Sequence, residues 1–147
     1  MQYNKTRCIG CYVICKIRFN SRGIDIPKTL NSIVYVGKGN LQRAASHFPK
    51  KRSNFKTTLT KLTKQQKALV KLLAKKSKIG VIALRCCHTA VAFACEKVLI
   101  KHFRSTLLNS YSGHKVSLPP QALNTLENAA LEFLFSRISD CDFDLVY

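Results

Sequence analysis

Acid is what this chain is short of. Seven Asp and Glu stand against 25 Lys and Arg in 147 residues, a formal charge of +18. Long apolar runs are missing too. Uncharged ones such as Val81–Leu84 and Ala90–Cys95 fall far short of the ~20 residues a membrane span needs. No apolar stretch follows Met1, which leaves out a secretory signal. The seven cysteines are odd in number and unevenly scattered. They do not make a disulfide framework and read as reduced thiols of an intracellular protein, nuclear if its source is eukaryotic. Internal repeats and low-complexity linkers are also absent. What remains is a single domain over 1–147, and its 46% hydrophobic content builds a core and excludes a disordered tail.

The few acids are unevenly placed. Between Ile26 and Leu126 there are 19 Lys and Arg and one carboxylate, Glu96. Asp25 precedes this basic body, and Glu127, Glu132, Asp140, Asp142 and Asp144 follow it. A body this positive points to a polyanion. Each phosphate neutralised by Lys or Arg releases condensed counterions, which drives binding at cellular salt. Nucleic acid is favoured over an anionic membrane surface.

Alternation of Val13, Cys15, Ile17 and Phe19 with Ile14, Lys16 and Arg18 predicts a strand over Cys11–Phe19. A polar loop over Asn20–Asn31 leads to a second strand, Ser32–Val36, so the two form an antiparallel hairpin. Asn40 caps a short helix over Leu41–Phe48, which Pro49 ends. Helical spacing of Phe55, Leu59, Leu62, Leu69 and Leu73 predicts a long helix over Phe55–Lys76. Lys78–Cys86 is a third, buried strand. Helices follow over Thr89–Arg104 and, opened by Pro119 and Pro120, over Gln121–Arg137. The expected architecture is α/β, more narrowly α+β: a small central three-stranded antiparallel sheet flanked by helices, with an extra C-terminal helix.

On the Thr89–Arg104 wheel, Glu96 falls among Phe93, Ile100 and Phe103, away from Lys97, Lys101 and Arg104. A carboxylate facing a core needs a cation. Either an Arg or Lys supplies it, making a buried ion pair, or Glu96 is the ligand of a divalent metal.

Tyr35-Val36-Gly37-Lys38-Gly39, then Arg43 and His47, with Gly10-Cys11-Tyr12 at the head of the preceding strand, resembles the signature of the GIY-YIG nucleases. Glu96 in a helix after a third strand and Asn109 in Leu107-Leu108-Asn109 fit the same ordered pattern over residues 9–115. The details, including Pro119-Pro120, are most similar to the nuclease module of metazoan ankyrin-repeat/LEM-domain endonucleases. Cys11 and Val36 stand where the signature usually has Ile. The resemblance makes 9–115 the nuclease core and 116–147 a C-terminal helix and acidic tail.

The resemblance implies a metal-dependent DNA endonuclease that hydrolyses phosphodiester bonds with one Mg²⁺ or Mn²⁺ on Glu96, and no small-molecule cofactor. In that reading Tyr12 is the base toward water, and Tyr35 orients water or phosphate. Arg43 and His47 hold the phosphate, and Asn109 fixes the site. A phenol with pKa ~10 is a poor base near neutrality unless cations depress it, and Lys38 is the candidate cation. Lys38, Arg43, Lys50, Lys51, Arg52, Lys61, Lys64, Lys71 and Lys75 would make the DNA footprint. Plain duplex, flaps and branched junctions are all open as substrates, with a lean toward branched DNA. Oligomeric state is not readable from the chain.

Two other readings compete. One is a non-catalytic nucleic-acid-binding module that retains the nuclease fold. The other is a structural protein holding zinc through Cys8, Cys11, Cys86, Cys87 and His88, although adjacent Cys86-Cys87 is poor geometry for a tetrahedral site. Asp140, Asp142 and Asp144 lack the glycine and late glutamate of a calcium loop and read as a solvated tail.

Overall fold

The computed structural model describes residues 10–46, 48, 71, 77–86, 88–108, 116 and 118–147. The first strand, β1 (Gly10–Lys16), is buried from Gly10 through Cys15. That run of β-branched and aromatic residues is covered on both faces, as befits a central strand. β1 pairs antiparallel with β4 (Ile33–Lys38) on one side and β5 (Ile79–Arg85) on the other. A bulge between Ile14 and Cys15 shifts the β1–β4 register.

The expected three-stranded sheet has a fourth member. β6 (Leu145–Val146) returns from the C-terminal helix to pair with β5, giving the order β4-β1-β5-β6. Tyr147 and Ile79 exchange both backbone hydrogen bonds, at 2.8 and 3.0 Å. A two-residue strand carries no periodicity for a sequence reading to detect.

The expected loop over Asn20–Asn31 is also more ordered than its composition suggests. It holds a ribbon of β2 (Phe19–Asn20) and β3 (Gly23–Ile24) and a short helix, α1 (Ile26–Leu30). Asp25 caps α1 by accepting the Lys28 N–H at 3.0 Å. Thr29 is fully buried. Its hydroxyl accepts the Arg18 N–H at 2.9 Å and donates to the Arg18 carbonyl at 3.3 Å.

Asn40 caps α2 (Leu41–Ala45), accepting the Arg43 N–H at 3.0 Å; the helix stops at Ala45, short of the expected Phe48. Two longer helices follow, α3 (Thr89–His102) and α4 (Pro120–Ser139). The expected helix over Phe55–Lys76 lies outside the described residues except for Lys71, which is helical and exposed. No helix among the described residues is long and apolar enough to cross a membrane.

The sheet separates two apolar layers. Cys11, Val13 and Cys15 of β1 join Cys95, Val98 and Leu99 of α3 and Ala130, Leu134 and Ile138 of α4. On the other face, Tyr12 and Ile14 pack with Val34, Ala44, Phe48, Ile79 and Val81. This is the period-two alternation of a strand buried on both sides.

Of the C-terminal acids, Asp140 and Asp142 are exposed as expected of a solvated tail, but Asp144 is not. Arg137 on α4 pairs with Asp142 at 3.0 Å and with Asp144 at 3.1 Å. Asp144 also accepts the Ala83 N–H of β5 at 2.8 Å. Its carboxylate therefore ties the last helix to the sheet just before β6. Asp144→Ala leaves the Ala83 amide without its acceptor and Arg137 with Asp142 alone, and it should cost about 1–3 kcal/mol. Urea denaturation checks this: the midpoint should fall with the slope unchanged.

Candidate active site

Tyr12 of β1 lies directly across from Gly37 of β4. A Cβ at position 37 would overlap the phenol oxygen and Cζ of Tyr12. Gly37 is therefore an interior strand position left bare so that the phenol can lie against the backbone. Tyr35, two residues earlier in β4, projects to the same side. The two rings stack with centroids 6.1 Å apart and planes 24° apart. Their hydroxyls are hydrogen-bonded, with the bond favouring the proton on Tyr12 and easing its loss from Tyr35. Tyr12 is 1% exposed, while Tyr35 is half-buried and is the phenol more open to solvent.

Glu96 is where the helical wheel put it, on the apolar side of α3, and is 1% exposed. Among the described residues it is the only buried charged side chain, and Thr29 is the only other buried polar one. Its negative charge is felt by both Tyr12 and Tyr35. A carboxylate from α3 and two phenols from adjacent strands thus share one electrostatic neighbourhood.

Arg43 joins that neighbourhood from α2, just past the turn after β4. Gly39 adopts φ +134° and donates its N–H to the Gly10 carbonyl at 2.8 Å. A Cβ there would come 2.7 Å from Cδ of Arg43. The arginine stem therefore lies back across the turn, and its charge opposes that of Glu96 at both phenols. Only glycine combines this φ with that close approach.

Lys38 does something different from what the sequence suggested. Its Nζ sits 3.9 Å over the ring of Phe93, one helical turn before Glu96. The cation that draws Tyr12 downward is Arg43, and it does not prevail. Burial, followed by the neighbouring Tyr35, pushes Tyr12 well above the ordinary phenol range. Burial also raises Tyr35, against the hydrogen bond from Tyr12 and the charge of Arg43. The expected depressed phenol is thus corrected to a strongly neutral one. Sequence reasoning missed Phe93 as a platform for Lys38, although the wheel had placed it beside Glu96.

His47 and Asn109 lie outside the described residues, as do Lys50, Lys51, Arg52, Lys61, Lys64 and Lys75. The zinc reading also loses definition, because Cys8 and Cys87 are outside the described residues and the five cysteines described are free thiols. Cys11 Sγ lies 3.2 Å from Cys95 Sγ. Two thiolates 2.3 Å from a tetrahedral zinc would sit about 3.8 Å apart. Among the described residues, no group of three His, Cys, Asp or Glu side chains is arranged to hold a metal ion. An ion at Glu96 would therefore have one protein carboxylate. That donor set suits Mg²⁺ or Mn²⁺, hard cations that keep several waters and complete their shell with phosphate oxygens.

A model of the LEM-3-like GIY-YIG domain matches residues 10–133, well over half of the chain, and the chain belongs to that family. No curated protein and no solved structure matches it. Membership carries nuclease-type activity in general, and a nuclease domain takes nucleic acid as its substrate.

The neutral state of Tyr12 has a consequence for stability. Below pH ~10, the pKa of a free phenol, Tyr12 holds its proton in both folded and unfolded chains and contributes no pH dependence. Above that, the unfolded chain loses the proton first, so stability falls as pH rises, by up to about 1.4 kcal/mol per pH unit. Denaturation of the parent and Tyr12→Phe between pH 8 and 11 should give parallel curves to about pH 10. Beyond it, the parent should fall more steeply.

Proposed function

We propose that the chain is a metal-dependent DNA endonuclease whose hydrolytic centre is Tyr12, Tyr35, Arg43 and Glu96. The observation that carries this reading is the sole buried carboxylate among the described residues, sharing its neighbourhood with two stacked phenols and a guanidinium. It stands in a chain with a formal charge of +18. We extend the centre to His47, Asn109 and Lys38, and the DNA footprint to Lys50, Lys51, Arg52, Lys61, Lys64, Lys71 and Lys75.

Glu96 would hold the divalent ion, Mg²⁺ or Mn²⁺, and that ion, when bound, supplies positive charge to the scissile phosphate and the leaving 3′-oxygen. Arg43 offers a planar, permanently charged fork to the equatorial phosphate oxygens, and the cap at Asn40 fixes where it starts. Tyr35, the more exposed phenol, accepts from Tyr12 and holds the attacking water through its own O–H and lone pair. Tyr12 is neutral in the free protein. It takes the water's proton only after losing its own, so the fraction competent at neutral pH is small. Lys38, held on Phe93, adds positive charge at the rim. Branched or otherwise structured DNA is the preferred substrate in this reading, on the similarity to the ankyrin-repeat/LEM-domain enzymes.

The test is cleavage of linear, flap and four-way DNA with Mg²⁺, with Mn²⁺ and with chelator. Cutting should appear with either ion and stop with chelator. Its single-turnover rate should rise about tenfold per pH unit through pH 7–9, because the base is protonated throughout that range. A flat profile would remove the phenol from the base role. Binding of all substrates with no cutting under any condition would favour the non-catalytic module instead.

A further inference from the structure

At the far end of β1 from Gly37 an open cleft of about 270 Å³ is lined by Lys16, Ile17, Arg18, Phe19, Ser77 and Lys78. Three of these six side chains are cations and none is an acid. The carboxylate nearest to them along the sequence, Asp25, is engaged as the cap of α1, accepting the Lys28 N–H. Phe19 is 58% exposed, more than any other large apolar side chain among the described residues. An exposed aromatic ring beside three positive charges offers a stacking face and phosphate partners in one place.

The walls of this cleft are fixed. Ile17 donates its N–H to the Lys78 carbonyl at 2.8 Å, joining the two sides. Lys16 donates to the Ser32 carbonyl at 3.0 Å. Arg18 is held through both its N–H and its carbonyl by the buried hydroxyl of Thr29. The backbone that presents the cations and the ring is thus ordered before any ligand arrives, which lowers the cost of binding.

We propose that this cleft binds an unpaired nucleic-acid strand, with one base stacked on Phe19 and its flanking phosphates on Lys16, Arg18 and Lys78. This inference rests on the DNA-cleaving reading for its choice of ligand. The combination is the one single strands are held by: a cationic groove that follows the backbone and an aromatic face for a base. A paired base has no free face for the ring, so duplex alone leaves Phe19 uncovered. The volume lies just below the range of small-ligand sites, which suits a single nucleotide rather than a folded partner. An anionic bilayer is the weaker match, because a membrane-binding surface offers a broad apolar face and this one offers a concavity with one exposed ring.

The position is informative. Lys16 follows Tyr12 and Ile14 on the same face of β1. Four residues of strand put the cleft about 13 Å from Tyr12. At ~3.4 Å per duplex step this is about four nucleotides. The cleft would therefore favour substrates in which one strand is unpaired within a few nucleotides of the cut, as at a flap or a junction arm.

Fluorescence anisotropy in chelator, on uncut oligonucleotides, tests this without calling on catalysis. Parent protein should bind a duplex with a twelve-nucleotide tail about tenfold more tightly than the blunt duplex. Lys16→Ala/Arg18→Ala/Lys78→Ala should lose that preference and lower the slope of log K against log salt by about 2 for the tailed DNA. Phe19→Ala should weaken tailed binding at least fivefold without changing the slope, and Phe19→Tyr should restore it. If the triple variant does not fold, as judged by circular dichroism, Arg18→Ala and the two Phe19 variants carry the same comparison. Equal affinity of the parent for tailed and blunt DNA would overturn the proposal. So would losses of equal size on both DNAs, or binding to phosphatidylserine vesicles that these substitutions abolish while DNA binding stays intact. A protein that favours the tail yet cuts nothing keeps the cleft and loses the nuclease reading; one that cuts but ignores the tail does the reverse.

Discussion

A carboxylate 1% exposed on the apolar side of a helix is the feature on which the site depends. Burying a charge costs several kcal/mol, and surrounding groups must offset it. In this chain the surroundings are two phenols and the charge of an arginine, drawn from β1, β4 and α2. The same low-dielectric setting that makes Glu96 costly also keeps Tyr12 protonated, so the two effects share one physical origin.

Two glycines make the geometry attainable. Gly37 leaves room for the Tyr12 phenol against the strand, and Gly39 turns the chain so that Arg43 lies back over it. Neither position is replaceable by alanine without moving a group of the site. The central strand does the rest: its alternating residues set Cys11 and Cys15 against α3 and Tyr12 against the opposite layer. The arrangement is braced from the C-terminus, where Asp144 ties α4 to β5 through Arg137 and Ala83.

Much of this was legible in residues whose signal is local. The alternation in β1, the capping by Asn40 and the apolar alignment of Glu96 each follow from a few neighbours, and each stands in the structure. Groups that act across long sequence separations were not legible. The packing role of Gly37 was hidden because nothing local shows that a phenol 25 positions earlier lies upon it. The two-residue β6 and the ribbon of β2 and β3 are too short for periodicity, and they are held by pairings with distant strands or by Thr29. Lys38 was assigned to Tyr12 on charge alone, whereas the fold gives it the ring of Phe93. The direction of the Tyr12 shift was misjudged for the same reason, since burial is a tertiary property and outweighs the charge of the chain.

The most direct measurement pairs stability with cleavage in Glu96→Gln. Removing the charge while keeping the shape should leave the urea midpoint within the equivalent of about 1 kcal/mol of the parent, or raise it, because a buried charge no longer has to be desolvated. Single-turnover cleavage in Mg²⁺ should fall at least a hundredfold in the same preparation. Undiminished cleavage by the folded variant would contradict the central role given to this carboxylate, and a loss of activity that merely tracks a loss of folded protein would do the same.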